Sequence, residues 1–175
     1  MRFPALIAVP AIALALAGCS AQEPATQPTT STEVKPLFSS DEEALAAAEA
    51  AYANYLQVSD QIARDGGANP ERLTSILSQS QYQIEKASFD GYVSKQIHSS
   101  GEMRFDSIHL SNSGEDGVSV YLCLDSSQSR VLDSSNIDVT PSERVDRWPL
   151  LVSFQNVDGK LIISGSETWT GKNFC

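Results

Sequence analysis

The chain has 175 residues, with 12 Lys or Arg against 22 Asp or Glu, and its formal net charge is −10 at pH 7. Its length suits one domain with flanking segments. A chain this acidic is not expected to bind nucleic acid, because neutralising phosphates requires clustered Lys and Arg. Anionic lipid headgroups should also repel the folded part, so we expect the domain to stand away from a membrane surface.

Residues 1–18 have the layout of a secretory signal peptide. Arg2 is their only charged residue, and an apolar run at residues 6–17 is interrupted by Pro10. The run is shorter than the roughly 20 residues that a membrane-spanning helix needs. The pattern therefore predicts an export signal that is later removed.

The signal ends in Leu16-Ala17-Gly18-Cys19, a sequence that resembles the lipobox of bacterial lipoproteins. The resemblance implies that the Cys19 thiol receives a diacylglycerol and that cleavage occurs immediately before it. The lipid would hold the mature protein on the extracytoplasmic face of the cell membrane, since two or more acyl chains anchor a protein stably. An ordinary cleaved signal followed by an incidental cysteine is the alternative. Loss of residues 1–18 would take the formal charge from −10 to −11.

Besides Cys19, the chain contains two cysteines, Cys123 and Cys175. In an exported protein, one remaining pair predicts a single disulfide. Closing a loop of about fifty residues would stabilise the fold by about 4 kcal/mol if the effect is mainly on chain entropy. A pair of free thiols and a metal site are the alternatives, although two cysteines without nearby histidines make a poor zinc site.

A change in composition divides the mature chain into two parts. Residues 19–38 are rich in Pro and Thr and lack apolar periodicity, so we expect a disordered tether. Its reach as a flexible coil is on the order of 25 Å. Residues 39–175 carry regular apolar patterns and are predicted to form a single domain.

A long amphipathic helix is predicted at the start of the domain. Ser40 and Glu43 have the spacing of a capping box, in which the two side chains satisfy backbone N–H groups of the first turn. Apolar residues recur at helical spacing over residues 45–62. Asp65-Gly66-Gly67 is typical of a helix end.

Two more helical segments are predicted before the pattern changes. Asn69-Pro70-Glu71 has the residues of a helix start, with Asn as the cap and Pro in the first turn. The apolar residues that follow, Leu73, Ile76 and Leu77, would form the buried face of that helix. The next helical stretch covers residues 82–97, and Ser99-Ser100-Gly101 is predicted to end the helical half of the domain.

From Met103 onward the apolar period changes from helical to alternating. Alternation is imperfect in the first predicted strand and clear over residues 118–125. The last two predicted strands are joined by Asp158-Gly159, a hairpin signal. The predicted strands are residues 103–111, 118–125, 131–132, 137–139, 149–157 and 160–170. Helices followed by an antiparallel meander predict an α+β fold, with the helices packed on one face of the sheet.

Three segments of the chain carry a resemblance to a known family. They are YLCLD at residues 121–125, SGSETW at 164–169 and NFC at 173–175, and they resemble segments of actinobacterial lipoproteins with a nuclear-transport-factor-two-like (SnoaL-like) cone domain. The resemblance covers about residues 40–175. It implies three helices on a curved sheet, a pocket between them, and a C-terminal tail beside the strand of Cys123, which suits a Cys123–Cys175 bond. In this fold the pocket serves enzymes, binders and interaction modules alike.

The sequence contains no recognisable catalytic, cofactor or metal motif. His98 and His109 lack metal-ligand spacing, and neither a Gly-rich phosphate loop nor a GxSxG elbow is present. We therefore assign no catalytic, cofactor-binding or metal-ligating residues.

A cone-type isomerase would need a pocket carboxylate near a tyrosine. Asp106 and Asp125 lie on predicted strands, but alternation places Asp125 on the face opposite the apolar run of its strand. Tyr52 and Tyr55 on the first helix would either line a pocket or belong to the core. These residues are the ones that an enzyme in this pocket would have to use.

The sequence leaves three functions open. We expect a membrane-anchored extracytoplasmic lipoprotein whose domain is a non-enzymatic binding or interaction module, for a small apolar ligand or an envelope partner. An isomerase- or dehydratase-like enzyme is the alternative, and a structural module that forms homodimers through its sheet is the third. A buried ionisable pair would favour the enzyme, an apolar cavity the ligand binder, and a filled interior the structural module.

Overall fold

A computed structural model of the chain describes residues 37–175. The predicted signal, Cys19 and nearly all of the predicted tether lie outside these residues. The helical elements are α1 (Asp41–Arg64), a 3₁₀ turn (Pro70–Leu73) and α2 (Gln79–Lys95). The strands are β1 (Ile97–Gly101), β2 (Arg104–Ser113), β3 (Gly117–Asp125), β4 (Ser129–Asp133), β5 (Arg147–Val157) and β6 (Lys160–Thr168).

Helix α1 begins and ends where its sequence signals predict. The Ser40 hydroxyl accepts from the backbone N–H of Glu43 at 3.2 Å, which satisfies one free donor of the first turn. The Glu43 carboxylate accepts from the N–H of Ser39 at 2.9 Å, one residue earlier than in a capping box. At the other end, Gly66 and Gly67 have φ angles of 69° and 86°, a conformation that favours glycine.

The predicted helix after Asn69 is wrong, although its apolar face is buried. Asn69 has a left-handed backbone and makes no side-chain cap, and the helical segment is a single 3₁₀ turn. Ile76 and Leu77 are 7% and 2% exposed because the chain runs beside β6. There Ile163 donates its N–H to the Ile76 carbonyl at 2.9 Å. Pairing with a distant strand has replaced the local helix.

The predicted end of the helical half at residues 99–101 is also wrong. Helix α2 ends at Lys95, and Gln96 turns the chain with a φ of 53°. Ile97–Gly101 then form β1, which pairs with β4 in a separate two-stranded sheet. Residues 97–101 form a strand because β4, which follows much later in the chain, supplies their backbone partners. Local propensity does not reveal such a distant partner.

The main sheet has four antiparallel strands in the order β2-β3-β5-β6. On β3, Val118, Val120 and Leu122 face the helices and are buried, as their alternation predicts. Residues 137–139 do not form the predicted strand: Asp138 makes one isolated bridge to Leu132. Two helices on one antiparallel sheet confirm the predicted α+β class.

The core lies between α1 and the inner face of this sheet. Tyr52 and Ile62 of α1 and Leu122 of β3 are among its largest fully buried side chains. Burial of each such side chain contributes roughly 1.5–3 kcal/mol. No helix within residues 37–175 is long and apolar enough to cross a membrane.

Candidate functional site

The space between α1 and the sheet is filled by aromatic and aliphatic side chains. Tyr52 is 1% exposed, and its ring packs edge-on against Phe105 of β2 with the ring centroids 4.9 Å apart. The Tyr55 hydroxyl donates to the Glu85 carboxylate of α2 at 2.9 Å. Tyr52 and Tyr55 therefore belong to the packed interior. Their rings and Leu122 occupy the region where the cone resemblance implied a pocket.

Neither phenol is suited to acid–base chemistry near neutral pH. Burial raises the pKa of Tyr52 above its ordinary value, and the charge of Glu85 adds to the effect. Burial also raises the pKa of Tyr55 well above its ordinary value, again with help from Glu85. Both groups stay protonated and act as packing and hydrogen-bonding residues.

The two aspartates that an enzyme would have to use lie on the other side of the sheet. Asp106 is paired across the ladder with Cys123, and Asp125 with Arg147. Arg147 donates to both carboxylate oxygens of Asp106 at 2.5 Å. The Asp125 carboxylate accepts from the N–H of Ser127 at 2.8 Å. Neither carboxylate faces the interior, as alternation predicts for Asp125.

The bidentate ion pair should give Asp106 a distinctive titration. Hydrogen bonds from Arg147 and Ser107 lower its pKa to about 2. The carboxylate is favoured in the folded state, so this contribution to stability is present above about pH 4 and is lost as the pH falls towards 2. We expect a carboxyl-carbon NMR midpoint near 2 for Asp106, and a midpoint closer to 4 in Arg147→Gln. An unchanged midpoint in that variant would contradict the pairing.

The histidines are separated in the structure. His98 lies on β1 opposite Leu132, and His109 lies on β2 opposite Tyr121. Over residues 37–175, no group of three or more His, Cys, Asp or Glu side chains has the arrangement of a metal site. The part of the chain described by the structure thus supplies no ligand set for a metal.

The predicted disulfide joins Cys123 to Cys175, with their Cα atoms 5.6 Å apart. Cys123 is fully buried on the face of the sheet opposite the helices, and Cys175 is exposed. The tail before Cys175 crosses this face, where the rings of Trp169 and Phe174 lie 5.0 and 6.1 Å from that of Tyr121. The bond therefore fastens the C-terminal tail to the middle of the sheet.

The outer edge of β2 is a terminal edge of the main sheet. Among the strands of residues 37–175, β2 is a terminal strand that pairs with β3 alone, and most of its side chains are exposed. The opposite terminal strand, β6, is partly covered, because Ile163 bonds to Ile76 and Ser78 on its free side. A terminal strand presents unpaired N–H and C=O groups that another strand can use.

Two clefts lie between α1 and the two ends of β2. The first has a volume of about 400 Å³, and its lining includes apolar residues and charged residues of both signs: Leu56, Met103, Phe105, Asp60, Glu102, Arg64 and Arg104. It lies at the Arg104 end of β2. We call it the first cleft.

The second cleft lies at the Ser113 end of β2 and has a volume of about 440 Å³. Leu45 of α1 and Leu110 of β2 provide its apolar surface, and Asp41 and Glu42 its charge. It contains no basic lining residue. The two clefts and the β2 edge between them are the candidate site for an extended ligand.

Asp60 of α1 holds the residue that precedes β2. The residue is 8% exposed, and its carboxylate accepts from the N–H of Met103, just before β2, at 3.0 Å. Burial raises the pKa of Asp60, against the opposing effects of the Met103 hydrogen bond and Arg64. Arg64 itself donates to the Gly101 carbonyl at 3.1 Å. These contacts hold α1 against the chain segment that enters β2.

Sequence reasoning found the strand but missed its role. Imperfect alternation over residues 103–111 was the available signal, and the structure explains it by two register shifts, between Asp106 and His109 and between Leu110 and Asn112. Bulges of this kind are common on edge strands. Nothing in the local sequence indicates that this strand lies at the edge of the sheet.

No family model matches the chain, and no curated protein matches it. Among solved structures, the intermembrane space region of the chloroplast protein ARC6 is similar, with 11% sequence identity and a TM-score of 0.53. The match covers 71% of this chain and 95% of that one. At this identity the similarity supports the fold alone.

A second structure, the Kfla4162 protein from Kribbella flavida, has 8% identity and a TM-score of 0.44, and the match covers 77% of this chain and 95% of that one. A similarity at this level carries no argument about fold or function.

Proposed function

We propose that this chain is a lipid-anchored extracytoplasmic lipoprotein whose α+β domain is a non-enzymatic interaction module for a protein of the cell envelope. The filled interior disfavours a carrier of a small ligand but would also suit a structural module, so the terminal strand β2 and the two clefts beside it carry the choice of an interaction module. Tyr52, Phe105 and Leu122 fill the middle of the space between α1 and the sheet, and the clefts that remain beside α1 open to the surface. A binding function is then better served by the surface of the domain than by its interior.

The positions of the two candidate aspartates disfavour an enzyme. An isomerase or dehydratase in a cone pocket needs an inward carboxylate of suitable pKa, whereas Asp106 and Asp125 lie on the opposite face and hydrogen bonds lower the pKa of each. The partly buried contact between Tyr55 and Glu85 is a candidate ionisable pair, but the Tyr55 hydroxyl already donates its proton to the hydrogen bond with Glu85. We propose that it has a structural role.

Export and anchoring rest on three features of the chain. The Cys123–Cys175 disulfide is typical of proteins outside the reducing cytosol. Cys19, within the lipobox-like segment, is the proposed site of the lipid. The similarity of residues 121–125, 164–169 and 173–175 to actinobacterial cone-domain lipoproteins supports the same assignment.

Lipid labelling and native mass spectrometry test the two parts of this proposal. We expect the full chain, produced in a lipoprotein-processing bacterium, to incorporate an alkyne-labelled fatty acid and to sediment with membranes. Cys19→Ser should abolish the label. Unlabelled wild-type protein would overturn the anchor.

The mass of the purified chain tests the module. We expect it to equal the mass of the lipidated polypeptide without any additional retained molecule. An apolar molecule retained under gentle ionisation would instead favour the ligand-carrier alternative. A dimer at micromolar concentration, formed without any other protein, would favour the structural module.

A further inference from the structure

We propose that the free edge of β2 binds an extended, basic segment of a partner protein as an added β-strand, with the apolar side chains of that segment seated in the two clefts beside α1. The inference rests on the proposed interaction function and specifies its site. In this mode of recognition, backbone hydrogen bonds provide affinity and pockets for alternate side chains provide specificity.

The structure covers one edge of its main sheet and leaves the other open. On β6, Ile163 bonds to both Ile76 and Ser78, at 2.9 and 2.8 Å. In residues 37–175, β2 has β3 as its sole strand partner. Within the part of the chain that the structure describes, the hydrogen bond from α1 to this region is that of Asp60 with the N–H of Met103, which precedes β2. The rest of the edge stays available for an incoming strand.

The acidic residues at one end of the site favour a basic ligand. Asp41 and Glu42 line the second cleft, and Glu115 and Asp116 follow in the turn after β2. At the first cleft the charges are mixed, since Arg64 and Arg104 join Asp60 and Glu102 there. We therefore expect the basic residues of the partner segment to lie at the Ser113 end.

A second copy of this chain fits the edge poorly. Each copy has a formal charge of −10 or below, so the net charges of two copies repel each other. The register shifts on β2 and the φ of 52° at Ser107 also make the edge irregular, which opposes pairing between two rigid copies. A flexible peptide can adapt to the bulges, whereas another β2 cannot.

A charged strand-forming peptide tests the inference with the full chain in mild detergent. The probe is a synthetic peptide of alternating Lys and Val, and the readout is backbone hydrogen exchange by mass spectrometry. We expect peptide binding to slow exchange within residues 104–113 by at least about tenfold. The same peptide with every backbone amide N-methylated keeps its charge but loses its donors, and it should give no such protection.

Matched charge variants locate the electrostatic contribution. Asp41→Asn with Glu42→Gln should weaken peptide binding about tenfold, because it neutralises the second cleft. Glu49→Gln with Glu71→Gln removes the same formal charge at exposed residues outside both clefts, and it should weaken binding by less than about twofold.

Three results would overturn the inference. The first is protection confined to the disulfide side of the sheet, and the second is equal binding of the methylated peptide. The third is concentration-dependent protection of β2 without peptide, which would identify a second copy as the occupant. The first two results bear neither on the lipid at Cys19 nor on a retained apolar molecule or a dimer, so they overturn the site without overturning the proposed function. The third result would also favour the structural module, and it would therefore count against both.

Discussion

Replacement of Tyr52 by alanine is expected to lower the free energy of unfolding by about 3–5 kcal/mol, the usual cost of removing a large aromatic side chain from a core. Tyr52 is 1% exposed, and its ring contacts those of Tyr55 and Phe105 at centroid distances of 5.6 and 4.9 Å. The cavity left by the truncation would lie between α1 and β2, where neither element can collapse without losing its other contacts.

Urea unfolding followed by the fluorescence of Trp148 and Trp169 would measure this loss. Tyr52→Phe keeps the ring and should cost less than about 1.5 kcal/mol. Since small domains are stable by only about 5–15 kcal/mol, the alanine variant should unfold at a much lower urea concentration. A loss below about 1 kcal/mol would mean that the ring is not packed in the core, and would restore the possibility of a pocket there.

Removal of the Cys123–Cys175 bond is expected to destabilise the domain by about 4 kcal/mol. The bond closes a sequence separation of 52 residues, and a loop of this length gives that value when the effect is mainly on the entropy of the unfolded chain. The double variant Cys123→Ala, Cys175→Ala avoids leaving a reactive thiol. Wild-type protein in a reducing agent provides an independent comparison.

Unfolding and mass together check this prediction. The wild-type mass should rise by two hydrogens on reduction, and the rise should accompany a lower urea midpoint. We also expect faster hydrogen exchange in residues 169–175, because Trp169 and Phe174 lose the fastening of the tail against Tyr121. A mass that does not change on reduction would contradict the bond itself.

The features that the sequence predicted well are those with strong local or compositional signals. The alternation of β3 is clear because it is a central strand with one face on the core. The cap at Ser40 and the two glycines after Arg64 fix α1 because both act within one turn. The cysteine pair follows from counting once Cys19 is set aside.

The features that the sequence did not predict depend on distant partners. Asn69-Pro70 is a strong local helix start, yet Ile76 and Leu77 instead lie beside Ile163 of β6. β1 exists because β4 pairs with it. The candidate site also depends on a distant contact, because its clefts form where α1 packs beside β2. The apolar periodicity of either segment does not predict that the two pack together.

The contact between the segment around Ile76 and β6 also has a consequence for how the domain reaches its native state. Lys160 donates to the Ser75 carbonyl across 85 residues of sequence, and Leu77 bridges to Ile163 nearby. Contacts this distant in sequence slow folding, because the loop must close before they form. We expect the early helices to stay loosely held until β6 has been made. If the chain is exported as proposed, this delay would keep it unfolded while it crosses the membrane.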